Sequence, residues 1–333
     1  MVEPTLTDYV EFLFNLFEHF WQQHAASARR GHPCWYHHQG LIVFFVIMHQ
    51  RRIFGFKAQH RWLRQHPEMH ATLRLDAVPH RSTLSRRYKA LYEVVQQFIA
   101  FVGVYAEDLD SRCASQDLDT DKSLFKAYGP VWHQSDRKAG RIPEKLRHLD
   151  TDGSWSKSGY HGWVYGYGLH LVNNRAGFPK MVQVETASVS EKVVIDQQAD
   201  QIIETFHPAT VSTDNSYAQA NRIRQWATRG VLLLSPAVKW TKGRYAEAYH
   251  DYINQPEQRD LLQSRRTAIE PIFDLVAKAL GTTGPQKQLA IQRLDNVRTC
   301  LALATLTVQV AMLANSIWGL PWRNLSTLEA ALT

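Results

Sequence analysis

The segment GWVYGYGLHLVNN, at residues 162–174, constrains the fold more than any other part of the chain. Its large side chains stand at every second position: Trp163, Tyr165, Tyr167, Leu169 and Leu171. A period of two residues is that of a β-strand, because successive side chains point to opposite faces. The chain is therefore predicted to contain a sheet.

Further strand and helix patterns follow one another in the same half of the chain. Strands are predicted at FPKMVQVETA, ATVST and GVLLLSPAV, the last a short apolar run of the kind buried inside a sheet. Helices are predicted at ADQIIETFH and at AQANRIRQWATRG, which Gly230 closes. With a first strand near Asp121 and helices after Leu261, the succession predicts an α/β sheet flanked by helices.

The first hundred residues predict helices only. Residues 5–25 repeat apolar side chains at spacings of three and four, and GLIVFFVIMHQRRIFGF is apolar enough for a buried helix. One long helix is predicted from a cap at Ser82 or Thr83 as far as Val102. Because 333 residues exceed a usual single domain, we predict a helical domain at 1–110 and an α/β domain at 111–333.

Positive charge is concentrated in the N-terminal part. Residues 29–89 carry 12 Lys and Arg against two acids, a net of 12 − 2 = +10, whereas the whole chain has a net charge of +7. A basic block of this kind is typical of a surface that binds nucleic-acid phosphates. Arg86, Arg87 and Lys89 lie on the polar face of the helix predicted from Ser82, which suits contact with DNA. A solvated basic surface without a ligand is the alternative.

Cysteine usage and the apolar segments indicate a soluble protein in a reducing compartment. Cys34, Cys113 and Cys300 are odd in number and far apart, which favours free thiols. The N-terminus has no basic residues ahead of its apolar positions, so a secretory signal is not expected. Residues 300–320 form one long apolar run, in which polar residues favour a buried core helix over a membrane span. We expect a cytoplasmic protein.

Asp214 stands where the predicted strand ATVST ends and a helix begins. A carboxylate at the carboxyl end of a strand projects into the crevice where open α/β sheets bind ligands. Capping of the helix is the alternative role, but Asn215 or Ser216 can provide that cap. Asp214 is therefore a candidate functional residue.

A second acid is expected near the first strand of the α/β part. Asp117, Asp119 and Asp121 alternate, so on a strand they share one face. Asp150 and Asp152 are rivals, although an Asp-rich turn before a glycine is more often a loop than a metal site. The residues alone leave the choice between Asp121 and Asp150 open.

Glu270, in SRRTAIEPIFDLVAK, is the third candidate acid. On a helix, Arg266 and Glu270 lie one turn apart on a stripe away from the apolar residues, where an ordinary ion pair is the alternative role. Pro271 is unusual inside a helix and is predicted in a first turn. That position would put Glu270 near a helix N-terminus.

Four segments, in this order, resemble successive blocks of the DDE transposases of bacterial insertion sequences: DKSLFKAYGPVWH, GWVYGYGLHL, STDNSYAQANRIRQWATRGVLLLSP and RRTAIEPIFDLVAK. The resemblance covers about residues 115–320. It implies a ribonuclease H-like mixed sheet with a catalytic, metal-binding triad of Asp121, Asp214 and Glu270.

Many relatives carry a Tyr-x2-Arg-x3-Glu-x6-Lys signature on the helix of the glutamate. Here Arg266 and Glu270 fit, Gln263 replaces the tyrosine, and Lys278 stands one residue late.

The resemblance further implies cleavage and strand transfer of double-stranded DNA, at element ends and at a target. Two Mg²⁺ or Mn²⁺ ions would be held by the triad and would activate water and then a DNA 3′-hydroxyl. DNA or phosphate contacts are expected from five basic residues: Arg81, Arg86, Arg87, Arg266 and Lys278. Because two DNA ends must be joined in one event, the protein is expected to act as a homodimer on DNA. It is also expected to associate with the nucleoid. The alternatives are a catalytically inactive DNA-binding protein derived from a transposase and a metal-dependent nuclease.

Overall fold

A computed structural model describes residues 4–24, 36–159, 162–236, 244–282 and 287–331. Arg29, Arg30 and Cys34, which belong to the basic segment, lie outside the described residues. The described chain begins with helices: α1 (Leu6–Gln23), α2 (His38–Gln50), α3 (Phe56–Gln65), α4 (Glu68–Thr72), α5 (Arg81–Lys89) and α6 (Tyr92–Leu109). The helical N-terminal part is thus as predicted.

The single long helix predicted from Ser82 or Thr83 to Val102 is wrong. The helix is divided between α5 and α6, and its cap is His80, whose ring nitrogen accepts a hydrogen bond from the backbone N–H of Ser82. Leu91, at the division, is fully buried. Because the sequence has no glycine or proline there, we attribute the break to tertiary packing rather than to local propensity.

The strands of the described chain form one mixed sheet: β1 (Asp117–Lys126), β2 (Ser154–Ser158), β3 (Gly162–Asn174), β4 (Pro179–Thr186), β5 (Thr210–Ser212) and β6 (Leu232–Leu234). The strand β3, which the period-two pattern predicted, pairs antiparallel with β1 on one edge and with β2 and β4 on the other. β5 pairs parallel with β1, and β6 pairs parallel with β5. The strand β2 was not predicted.

The strand order β4-β3-β1-β5-β6, with β3 antiparallel to its neighbours, is ribonuclease H-like. The predicted fold class is therefore confirmed. At Gly166, β3 lies between β1 and β2. A Cβ atom at Gly166 would collide with the backbone carbonyl of Phe125, so the approach of β1 to β3 requires glycine at this position.

Helices flank the sheet: α7 (Gln134–Lys138), α8 (Glu191–Phe206), α9 (Ala220–Thr228), α10 (Arg244–Ile253), α11 (Pro256–Ala279), α12 (Leu294–Ile317) and α13 (Leu325–Ala331). In the chain, α8 connects β4 to β5 and α9 connects β5 to β6, as predicted. Gly230, just beyond α9, has a φ of 80°. Glycine adopts that conformation without a steric cost, which explains why the helix ends there.

The helix α12 has the length and composition of a membrane span, but 89% of its most apolar window is buried inside the protein. The predicted core helix is thus confirmed. It packs against α2, α5, α6, α11 and β4. Gln309 Nε2 donates hydrogen bonds to the carbonyls of Ile99 in α6 (2.9 Å) and Pro179 in β4 (2.7 Å). The helix therefore joins the N-terminal helices to the sheet; the domain boundary after residue 110 stays a prediction.

The helix α11 continues through Pro271, so the predicted position of Pro271 in a first turn is wrong. Pro256 occupies the first turn instead, and Glu270 lies in the middle of the helix. Proline lacks the N–H that would bond to the carbonyl four residues earlier, here that of Thr267. Arg323 Nη1 donates to this carbonyl (3.2 Å). A side chain from outside α11 thus supplies the hydrogen bond that Pro271 removes.

Candidate active site

β1 carries Asp117, Asp119 and Asp121 at alternate positions, so the three acids share one face, as predicted. The neighbouring strand β5 ends at Ser212, which pairs with Asp119. β1 continues to Lys126. Residues that follow β5 therefore lie alongside Asp121, beyond the last paired residues of the two parallel strands.

Both carboxylate oxygens of Asp121 accept hydrogen bonds. Its own neighbour Lys122 donates a backbone N–H to Oδ1 (2.8 Å), and Arg265 Nη1 of α11 lies 2.5 Å from Oδ2. Arg265 is 7% exposed and Asp121 18% exposed. Burial raises the pKa of Asp121, while the Arg265 charge and hydrogen bond act in the opposite direction.

Asp214 directly follows Thr213 at the end of β5, as predicted, and precedes a single 3₁₀ turn. Its Oδ1 accepts the backbone N–H of Ser216 (2.8 Å). The expectation that Asn215 or Ser216 would provide the cap is therefore wrong, because Asp214 caps the turn itself. Repulsion by Asp214 contributes to the raised pKa of Asp121. The two aspartates thus interact, although they are far apart in sequence.

Arg175, in the turn between β3 and β4, ties this region together. Its Nη1 bonds to Asp119 Oδ1 (3.0 Å) in β1 and to Ser264 Oγ (2.9 Å) in α11. Its Nη2 donates to Ser212 Oγ (3.0 Å) in β5. Burial raises the pKa of Asp119 to about 7, against the effect of Arg175. One guanidinium therefore fixes the positions of β1, β5 and α11 relative to one another.

Asp150, the rival of Asp121, is fully buried away from these acids. Its Oδ2 accepts hydrogen bonds from Tyr167 Oη (2.8 Å) and from the backbone N–H of Arg293 (3.2 Å). Its Oδ1 accepts the backbone N–H of Asp152 (3.2 Å). These bonds hold the loop before β2 against β3 and α12, which is a structural role.

Glu270 is not brought together with Asp121 and Asp214. It lies five residues after Arg265, about 140° around the helix axis, on the exposed side of α11. There it lines a groove with Arg266, Asp274 and Arg323. Arg265, which the sequence analysis did not single out, contacts Asp121, whereas Arg266, the predicted phosphate contact, is exposed beside Glu270. The sequence pattern that could have identified Arg265 as buried is its position four residues before Ile269, on the apolar side of the helix.

The family model of the transposase DDE domain matches residues 114–282, half of the chain, from just before β1 to just after α11. The chain belongs to this transposase family. Among solved structures, that of a pre-cleavage Mos1 transpososome aligns with 95% of this chain and 98% of its own chain, at 10% identity and a TM-score of 0.22. Similarity that weak supports no conclusion about this chain. No curated protein sequence matches it.

Transposases of this family generally use divalent metal ions. The carboxylates of Asp121 and Asp214 are oxygen donors of the kind that Mg²⁺ and Mn²⁺ prefer, and the buried Asp119 Oδ2 has no hydrogen-bond partner. Within the described ranges, no three His, Cys, Asp or Glu side chains are close enough to hold an ion. Arg265 instead supplies the positive charge beside Asp121. The donor atoms are therefore of the right chemical kind for a divalent ion, but the described side chains, with Arg265 paired to Asp121, do not form an ion site.

Basic side chains of the N-terminal part of this transposase lie on α3 and α5, which pack against each other. The exposed members of this basic surface are Lys57, Arg61, Arg64, Arg81, Arg86 and Lys89. Arg87, in contrast, is half-buried and donates to the carbonyl of Tyr36 (2.9 Å). Lys278 in α11 donates to Ser326 Oγ of α13 (2.5 Å). Of the five predicted DNA contacts, Arg81, Arg86 and Arg266 are therefore exposed.

Proposed function

We propose that this chain is a DNA transposase that cleaves and joins DNA strands at a site containing Asp121 and Asp214. The observation that supports this most directly is the position of Asp214, which follows the end of β5 alongside Asp121 on the paired strand β1, inside the segment that matches the DDE domain. Carboxylates at the ends of neighbouring strands are oxygen donors suited to divalent cations for phosphoryl transfer.

Divalent cations, when bound, would activate the attacking oxygen and stabilise the leaving oxygen of an in-line displacement. The chain itself contributes position and charge. Arg175 bonds to both β1 and β5, so that Asp121 and Asp214 keep their separation during the reaction. Arg265, once released from Asp121, is placed to bind a phosphate of the DNA.

Glu270 is proposed as the third acid of the triad from the resemblance of its segment to the family. Its side chain lies on the exposed side of α11. The role therefore requires that binding of DNA breaks the Arg175–Ser264 and Arg265–Asp121 contacts and shifts α11, so that Glu270 approaches Asp121. Arg266, one turn before Glu270, would then contact the DNA backbone at the same place.

The DNA partner is proposed from the basic surface of α3 and α5. Six exposed cations on two packed helices attract the phosphates of a duplex without sequence preference. The protein would bind element ends there, act as a homodimer on two ends, and be located in the cytoplasm with the nucleoid.

The experiment is cleavage of DNA that carries the ends of the chain's own element, with Mg²⁺ or Mn²⁺, by the wild type and by Asp121→Asn and Asp214→Asn. We expect both variants to lose cleavage by at least about 100-fold, because one displaced metal ligand misplaces the ion. The matched control is Asp108→Asn, an exposed acid of α6, which should cleave like the wild type. Undiminished cleavage by either site variant would contradict the proposal.

A catalytically inactive DNA-binding protein is the second candidate function. The observation that favours it is the Arg265–Asp121 ion pair together with the absence of a three-acid cluster among the described residues. Such a protein would bind element ends without any metal-dependent cleavage. DNA binding that persists while the wild type shows no cleavage with either ion would support this candidate.

A further inference from the structure

Trp163, the second residue of β3, is 63% exposed although its side chain is large and apolar. Alternation along β3 puts it on the same face of the sheet as Tyr165, Tyr167 and Leu171. Leu171 is paired with Asp121 of β1, and directly paired residues share a face. Trp163 therefore lies on the face that carries Asp121, at a distance of 171 − 163 = 8 residues, or roughly 26 Å, along β3.

A lysine and a second tryptophan lie next to Trp163 on this face. Lys157 of β2 is exposed and pairs directly with Trp163. Trp155 of β2 pairs with Tyr165, and the centres of their rings are 5.5 Å apart. Trp163 is thus the exposed end of a row of aromatic side chains, with a cation beside it.

The segment 133–148, here called the basic loop, is attached to the same strand. Trp155 Nε1 donates to the carbonyl of Trp132 (2.8 Å), and Trp132 Nε1 donates to the carbonyl of Arg141 (3.0 Å). Two indole groups therefore hold the basic loop beside β2. The loop has five basic and two acidic residues, a net of 5 − 2 = +3. Its exposed cations are Arg137, Lys138, Arg141, Lys145 and Arg147.

The charge of the basic loop acts on the aromatic row and is not neutralised within it. Burial raises the pKa of Tyr165 to about 12, against the effect of the nearby Arg137 charge. Arg141 forms a salt bridge with Asp136. Within the ranges that the structure describes, the other four cations of the loop and Lys157 form no salt bridge with an acid. Their charge is available to an anionic partner.

We propose that Trp163, Lys157 and the basic loop form a surface that binds single-stranded DNA. Exposed cations attract phosphates. An exposed indole ring stacks on a base, and a base offers its flat face only where the two strands are apart. The inference rests on the proposed function for the class of its partner, DNA, but not on cleavage. This surface belongs to the sheet, whereas the duplex is proposed to bind to α3 and α5.

The test measures binding of a labelled oligothymidine of about 16 nucleotides to the full-length chain by fluorescence anisotropy. Trp163→Ala is expected to weaken binding about tenfold, because the stacking is lost. Trp163→Phe keeps a ring and should stay within about threefold of the wild type, whereas Trp163→Leu should bind like Trp163→Ala. Ile317→Ala, at an exposed apolar position at the end of α12, is the matched control and should leave the affinity unchanged.

Salt dependence separates the stacking from the charge. Lys157→Ala and Arg137→Ala should each reduce the slope of log K against log salt by about 0.7, the value for one phosphate contact on a single strand. Trp163→Ala should keep the wild-type slope. Wild-type affinity in Trp163→Ala would overturn the role of the indole, and wild-type slopes in both cation variants would overturn the role of the charge.

A second copy of the chain is the other partner that an exposed tryptophan could contact. In that case Trp163→Ala lowers the mass measured by sedimentation without DNA and leaves oligothymidine binding unchanged, which would overturn the inference. Tighter binding of an oligouridine RNA than of oligothymidine would overturn DNA as the partner. Should Trp163→Ala lower the melting temperature, Trp163→Leu against Trp163→Phe and the slope of Lys157→Ala decide the question.

A blunt duplex of the same length separates this inference from the proposed function. Trp163→Ala should bind the duplex like the wild type, whereas Arg86→Ala of α5 should bind it more weakly. If the wild type binds the duplex but not the oligothymidine, this inference fails and the proposed function stands. If the wild type binds neither, the DNA partner proposed above fails as well.

Discussion

Arg265 Nη1 lies 2.5 Å from Asp121 Oδ2, so the acid on the central strand of this transposase is neutralised by a cation of its own chain. Asp214 and Asp119 also attract this guanidinium, and together with Asp121 they raise its pKa although burial lowers it. Arg265 therefore remains charged at all accessible pH values.

Replacement of Arg265 by Gln is expected to destabilise the protein. Loss of one partner from a buried ion pair costs about 3–5 kcal/mol; we expect about 2–3 kcal/mol here, because Asp121 keeps some contact with water. The free energy of unfolding, measured by urea denaturation, checks this value. Arg266→Gln is the control at the adjacent, exposed position and should change it by less than about 0.5 kcal/mol. Equal effects of the two variants would show that the Arg265–Asp121 pair contributes no more to the free energy of unfolding than an exposed arginine does.

Arg323→Ala is expected to destabilise α11 because Arg323 supplies the hydrogen bond that Pro271 cannot. A hydrogen bond from a charged donor contributes about 1.5–3 kcal/mol. In a Pro271→Ala background the loss should be smaller, since Ala has an N–H for the carbonyl of Thr267. Urea denaturation of the two single variants and the double variant measures this coupling. Simple additivity of the two changes would contradict the explanation.

His49 makes stability depend on pH. Burial lowers its folded pKa to about 3, whereas in the unfolded chain it is about 6.5. The unfolded state binds the extra proton between these values, so the contribution of His49 to stability is constant above about pH 6.5 and falls as pH decreases through the window, by up to about 1.4 kcal/mol per pH unit. His49→Gln should show a shallower decrease between pH 6.5 and 4.5 in urea denaturation. A variant with the slope of the wild type would exclude His49 as the cause.

Arg86 and Arg87 are neighbours with different expected roles. Arg86→Ala, at an exposed position of α5, should weaken duplex DNA binding and reduce the slope of log K against log salt by about one. Arg87→Ala removes the hydrogen bond to the Tyr36 carbonyl and should lower the melting temperature instead. Fluorescence anisotropy at several salt concentrations measures the first effect. Arg229→Ala, which removes a cation paired with Asp200, should leave the slope unchanged.

Much of the fold could be predicted because its strongest signals are local. The alternation of large side chains predicted β3, and the change from a strand pattern to a helix pattern predicted that Asp214 lies at the end of β5. The break between α5 and α6 and the passage of α11 through Pro271 could not be predicted, since burial of Leu91 and a hydrogen bond from Arg323 decide them. Both effects depend on residues that are distant in sequence, which a local pattern does not reveal.

The site could be predicted only in part for the same reason. The candidate acids could be named from the sequence, but the side of α11 on which each arginine lies could not. The contact of Arg265 with Asp121 was therefore not predicted, whereas Arg266 next to it was named as a phosphate contact.

Gln309 reaches from α12 to both α6 and β4, and this has a mechanical consequence. A hinge motion that separates α6 from β4 would have to break at least one of these buried bonds. The helices that carry the basic surface are thus linked through α12 to the sheet that carries the acids. If the chain binds and cleaves DNA as proposed, the spacing between the bound and the cleaved positions would be set by the folded chain and not by a flexible linker.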